Sequence, residues 1–117
     1  ISDNDLPPIY GTSQVSNIAP SNQSSLVTII GNAKDENYGN ISLELYYRHS
    51  DDNISWSDWM LYDTDINGLN GWFWEFNAAN ANGTGYYQFY SIRQADYIDH
   101  IETEKAPPGP DAFCYIT

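Results

Sequence analysis

Residues 41–62, ISLELYYRHSDDNISWSDWMLY, carry the pattern that decides the fold. Ile41, Leu43, Leu45 and Tyr47 alternate with Ser42, Glu44, Tyr46 and Arg48, the two-residue period of a strand with one buried face. Ser50-Asp51-Asp52-Asn53 follows, and such side chains hydrogen-bond local backbone and tolerate a left-handed residue. A second arm begins at Ser55-Trp56 and runs through Trp59, Met60, Leu61 and Tyr62. The spacing predicts one long β-hairpin, and its indoles supply the apolar mass that an isolated two-stranded unit lacks.

Outward from the hairpin the chain keeps to short strands and turns. Residues 1–8, ISDNDLPP, are acidic and proline-limited and read as a linker or loose end, leaving residues 9–117 as a single domain. Ile9 to Ile18 is expected as a first strand closed by Pro20, and Leu26-Val27-Thr28-Ile29-Ile30 as a second; 31–40 reads as a polar loop. After a turn-rich link from Asp63 to Gly71, the run 72–76 places Trp72, Trp74 and Phe76 on one face. Tyr86 to Ile92, YYQFYSI, is an aromatic strand whose inward face the pattern leaves open. Ile98 to Glu104, anchored by Ile98 and Ile101, and Phe113 to Ile116 are one last strand or two, split by Ala106-Pro107-Pro108-Gly109-Pro110. No window shows a helical stripe. Seven or eight strands with regular turn signals predict an all-β antiparallel sandwich.

Composition narrows the function. At 117 residues the chain can bury one core without staples. Only Lys34, Arg48, Arg93 and Lys105 are positive against 16 acids, a net charge of −12. That field repels phosphate backbones and anionic lipid surfaces, so nucleic acid is not an expected partner. No apolar run approaches membrane-spanning length, so no membrane insertion is expected of this segment. The chain starts without methionine and reads as a piece of a longer or processed protein. The one cysteine, Cys114, sits between Phe113 and Tyr115 and reads as a small buried apolar group.

The hairpin turn resembles an Asp-box, the S-x-D-x-G-x-T-W hairpin of sialidases and other extracellular β-proteins. Aligned on Trp56, Asp51 takes the place of the acid, Asn53 of the glycine and Ser55 of the threonine, while His49 stands where the serine would be. What the resemblance implies is structural: the acid caps the turn and the tryptophan packs beneath it. More widely, LYYRHSDDNISWSDWMLYDTD, GWFWEF, NGTGYYQFYSI and DAFCY together resemble the immunoglobulin-like or fibronectin type III-like domains repeated in archaeal and bacterial cell-surface proteins. The likeness departs after Ile92, where Arg93 to His100 lacks the glycine usual there. It implies an immunoglobulin-like sandwich, an extracellular or cell-surface location and a non-catalytic module. The expected role is structural or adhesive, in a cell-surface, sheath or filament-forming protein, through end-to-end or edge-strand contacts with neighbouring domains or subunits of one assembly.

Several residues are candidates for more specific roles. Asp63, Asp65 and Asn67 match the opening of an EF-hand calcium loop, but position twelve is Trp74, so turn chemistry is the leading reading and calcium the alternative; no other cofactor is expected. Asn22, Asn40, Asn53 and Asn82 begin N-x-S/T sequons and are glycosylation candidates. Trp59, Tyr46 and Tyr90 are the aromatics expected on the surface, where sugars stack, whereas Trp56, Trp72 and Trp74 are assigned to the core. Glycans are thus the alternative partner, and a carbohydrate-binding module of an extracellular enzyme the alternative function. His49 and His100 have no metal-ligand spacing, and no nucleophile or phosphate-loop motif occurs, so no enzyme is expected.

Overall fold

The computed structural model describes residues 11–18, 23–34 and 40–117. Asn40–Ser50 forms the long strand β3, flanked by Met60–Asp65 (β4) and Gly85–Asp96 (β6). The remaining strands are Ser13–Val15 (β1), Leu26–Ala33 (β2), Trp72–Asn77 (β5), Ile101–Thr103 (β7) and Ala112–Ile116 (β8). They make two antiparallel sheets, β1-β2-β5 and β4-β3-β6 with β7 and β8 beside β6. Among the described residues this is an all-β, immunoglobulin-like sandwich of eight strands. Both final pieces are strands: β8 pairs with the first residues of β6 and β7 with its last, separated by the proline-rich loop.

The core lies where the inward stripes meet. Leu43, Leu45 and Tyr47 from β3 face Ile29 from β2 and Trp72, Trp74 and Phe76 from β5. Tyr87 and Phe89 give β6 its inward face, and Phe76 packs edge-on against both. At Gly31 a Cβ would stand 2.8 Å from the Trp74 ring, so the missing side chain is what lets that indole lie flat against β2. Tyr87 also donates its hydroxyl to Gly83 O (2.7 Å) and accepts from Asn82 N (3.1 Å). This tyrosine corner, binding the start of a strand back to the preceding loop, is a hallmark of the fold class.

Some expectations require correction. The second hairpin arm begins at Met60, not Ser55, because Ser57 N donates to His49 O and ends the ladder in a loop. Asp63 to Asp65 extend β4, and β2 runs on to Ala33. The first strand is confined to Ser13–Val15 among the described residues. Ile98 and Ile101 anchor nothing: they are 109% and 64% exposed, since β7 pairs Glu102 with the inward-facing Ala95. The linker 1–8 and Asn22 lie outside the described residues.

Pairing register also fixes the poles. Asp65 lies opposite Leu43 and Asp96 opposite Asn40, so the loops 66–71 and 97–100 leave from the same end of the sandwich. The β3–β4 and β5–β6 loops leave from the other.

Candidate interaction surfaces

At the hairpin turn the capping acid is Asp52, not Asp51. Asp52 Oδ1 accepts from Ile54 N (2.8 Å), Ser55 N (2.9 Å) and Ser50 Oγ (3.0 Å). The Ser55 and Ile54 amides hold its carboxyl below the ordinary 3.8. Asn53, next in line, takes the left-handed conformation (φ 60°). Asp51 is displaced into solvent, 3.7 Å from His49 Nε2. His49 is itself buried and donates Nε2–H to Thr84 O (2.8 Å), which binds this turn to the β5–β6 loop. Asn53 and Asn82 are both exposed at this pole, and Asn40 is exposed at the start of β3.

The EF-hand-like segment is spent on its own backbone. Asp63 Oδ1 accepts from Thr64 N (2.8 Å), and Asn67 Oδ1 from Leu69 N (3.1 Å), capping a short 3₁₀ turn over Gly68–Asn70. Asp65 accepts from Asn67 N (2.9 Å) and, with its other oxygen, from Phe73 N (3.1 Å). Trp74 is buried in the core. Among the described residues no three His, Cys, Asp or Glu side chains converge as a metal site.

The outer face of the larger sheet is aromatic. Tyr46 on β3 stacks on Tyr90 of β6 (centroids 5.3 Å apart), and Trp59 folds back from the loop onto the same Tyr90 (4.3 Å). Tyr90 is therefore only 8% exposed, not a surface aromatic, while Tyr46 and Trp59 are half-buried. Burial is also the main reason the phenols of Tyr46 and Tyr90 are raised above the ordinary 10. Trp56 is not in the core: it lies half-buried on this face, with the Arg48 guanidinium 5.1 Å from its ring and 4.8 Å from that of Trp59. Arg48 Nε donates to Gln88 Oε1 (2.7 Å) across the ladder, and beyond Gln88 the row continues to Phe113. One row further along, Tyr86 meets Tyr115 (4.7 Å).

No family model, curated protein or solved structure matches this chain. The surface must be read from its own chemistry.

The sheet margins carry a second set of residues. Glu104 Oε1 accepts from Ser13 Oγ (2.6 Å), Ser13 N (3.1 Å) and Arg93 N (2.9 Å). Asp111, at the other end of the proline loop, accepts from Val15 N (3.0 Å), and burial pushes its carboxyl up. The two acids thus tie β1 to β6. Across the sandwich Tyr62 does the same for β5, donating to Glu75 O (3.0 Å) and accepting from Asn77 N (2.8 Å), with Asp65 on Phe73 N beside it. Buried Arg93 and the Glu102–Lys105 stretch border a 350 Å³ cleft at the β1 side. Sequence reasoning missed Arg48 and Gln88, although the alternation had already put Arg48 on the face of Tyr46. It had no signal for Tyr62, Glu104 and Asp111, whose partners are far off in the chain.

Proposed function

We propose that this domain is a non-catalytic structural or adhesive module of a cell-surface, sheath or filament-forming protein, meeting its neighbours end to end. The observation that carries the reading is one pole of the sandwich, where Leu69 is 99%, Ile66 80% and Ile98 109% exposed. Scattered apolar residues are ordinary on protein surfaces. Three large aliphatic tips at one pole of a strongly acidic chain instead mark a contact surface. The capped margin of β5 argues for contact through the poles over strand addition at that edge. The burial of His49, whose Nε2–H is spent on Thr84 O, supports a non-catalytic role for that side chain. An extracellular setting belongs to the same proposal, with glycans at the exposed Asn40, Asn53 and Asn82.

Sedimentation at rising concentration tests it. Weak self-association of the wild type, lost in the Ile66→Ser/Leu69→Ser/Ile98→Ser variant, is the expected result. Identical monomeric sedimentation of both chains would sink it. The alternative, a carbohydrate-binding module, draws on the half-buried Trp59 and Tyr46 but loses Tyr90 as a stacking ring.

A further inference from the structure

We propose that the outer face of the β4-β3-β6-β8 sheet binds the carboxylate of an acidic sugar through the guanidinium of Arg48, with the indoles of Trp56 and Trp59 as its walls. The argument starts from charge. This chain has 16 acids and four Lys and Arg residues, yet Arg48 makes no ion pair among the described residues. Its neighbours are two indole rings and one amide. Of its five N–H donors, the Nε–H is engaged by Gln88, and the other four, on the two terminal nitrogens, make no hydrogen bond among the described residues. Those two nitrogens form the planar fork that matches a carboxylate in a bidentate way.

The fork is also held still. The ladder fixes β3 against β6 in register, so Arg48 sits directly opposite Gln88. Trp59 is braced from below by Tyr90, and Tyr90 by Tyr46. A guanidinium restrained by stacking and a hydrogen bond loses little further freedom when an anion docks, which is the condition for useful affinity at a solvent-facing site.

Charge complementarity selects an anion, and the shape of the site selects a sugar. A peptide would need an open strand edge or side-chain pockets. Around Arg48 the backbone edges are occupied: β3 pairs with β6 on one side, its other side is closed by Met60 opposite Tyr47 and by Ser57 bonded to both His49 N and His49 O, and β6 lies between β3 and β8. A sugar ring needs a flat aromatic wall and hydrogen-bonding groups around it, and the half-buried indoles with Gln88 supply both. A long nucleic acid, with a phosphate at every step, would meet the full repulsion of the net charge of −12, whereas a three-residue uronate adds only three carboxylates, one of which meets Arg48. The proposal adds a ligand to the adhesive reading without resting on it, since a domain that stays monomeric can still bind a glycan here.

The test is calorimetric titration of the full chain with trigalacturonate, its fully methyl-esterified form and hexaglutamate, followed in parallel by tryptophan fluorescence. The expected result is binding of trigalacturonate with indole protection, about tenfold or more weakened by Arg48→Lys, which keeps the charge but loses the fork, and by methyl esterification. Chemical-shift mapping on the wild type provides a reading that needs no variant: the Arg48 Nε–H and the Trp56 and Trp59 indole N–H signals should move together. No heat and no shift with trigalacturonate would overturn the proposal, leaving the Arg48 stack a purely structural device. So would equal binding of the esterified form, or tighter binding of hexaglutamate.

Discussion

Tyr62→Phe removes one oxygen atom and leaves the ring in place against Phe76 and Tyr47. That oxygen makes two hydrogen bonds, to Glu75 O and from Asn77 N, and both join β4 to the outer margin of β5. Each such bond contributes about 1 kcal/mol net, so the upper bound is about 2 kcal/mol. Water can reach the partly open margin and satisfy part of the loss, which brings the expectation down to about 1–1.5 kcal/mol. With a urea slope of roughly 1.5 kcal/mol per molar for a domain of this size, the midpoint should fall by about 0.7–1 M with the slope unchanged. Hydrogen exchange gives the local reading: the Asn77 amide should lose protection while that of Trp74, bonded inward to β2, keeps it. A midpoint unchanged within error, with Asn77 still protected, would refute the claim that this hydroxyl joins the two sheets.

Gly85 has φ 134°, and a Cβ there would stand 2.4 Å from His49 Nε2 and 2.8 Å from Ser50 O, so Gly85→Ala should cost about 3 kcal/mol or more by denaturant titration. Cys114 is fully buried, with its thiol pushed up to about 11, so it should resist a thiol-specific reagent at pH 8 and react only at the rate of global unfolding. The Asp111 carboxyl is raised in the folded state, chiefly by burial, so the folded chain holds that proton more tightly than the unfolded one. Its contribution to stability therefore falls as pH rises from the ordinary Asp value through the raised one. Asp111→Asn should flatten that part of the pH–stability curve, and an unchanged curve would contradict the burial argument. The His100 imidazole, hydrogen-bonded to Asp99 and Glu102, titrates above 6.5, and Asp99→Asn should bring it down in an NMR titration.

Where burial is one-sided, the sequence spoke plainly. Leu43, Leu45 and Tyr47 alternate with outward-facing residues, as do Trp72, Trp74 and Phe76 with the more exposed Phe73 and Glu75, and these strands form the core as expected. In β6 the alternation fails because its outer residues Tyr90 and Ile92 are covered as well, so both faces look apolar. Asp51 and Asp52 are adjacent and chemically identical, and only the backbone path through Asn53 decides which one turns inward to the Ile54 and Ser55 amides. A large indole favours burial, which points Trp56 to the core; the Arg48 side chain offers it a cover on the outer face instead. Ile98 and Ile101 are three residues apart, a spacing that a strand cannot place on one face.

The pairing of Glu104 and Asp111 with β1 also sets the order in which the molecule can be completed. Ser13 and Val15 lie 91 and 96 residues before the carboxylates that accept their amides. During synthesis β1 therefore emerges well before the carboxylates that secure its outer margin. Closing so long a loop is entropically slow, and contacts of this separation are the kind that delay folding. Until residues 104 and 111 have joined, β2 is the only strand paired with β1 among the described residues, and the Ser13 and Val15 amides of its other margin await their carboxylates. The proline-rich loop is thus the fastener of the domain: β1 gains its second margin only once the carboxylates at both ends of that loop are in place.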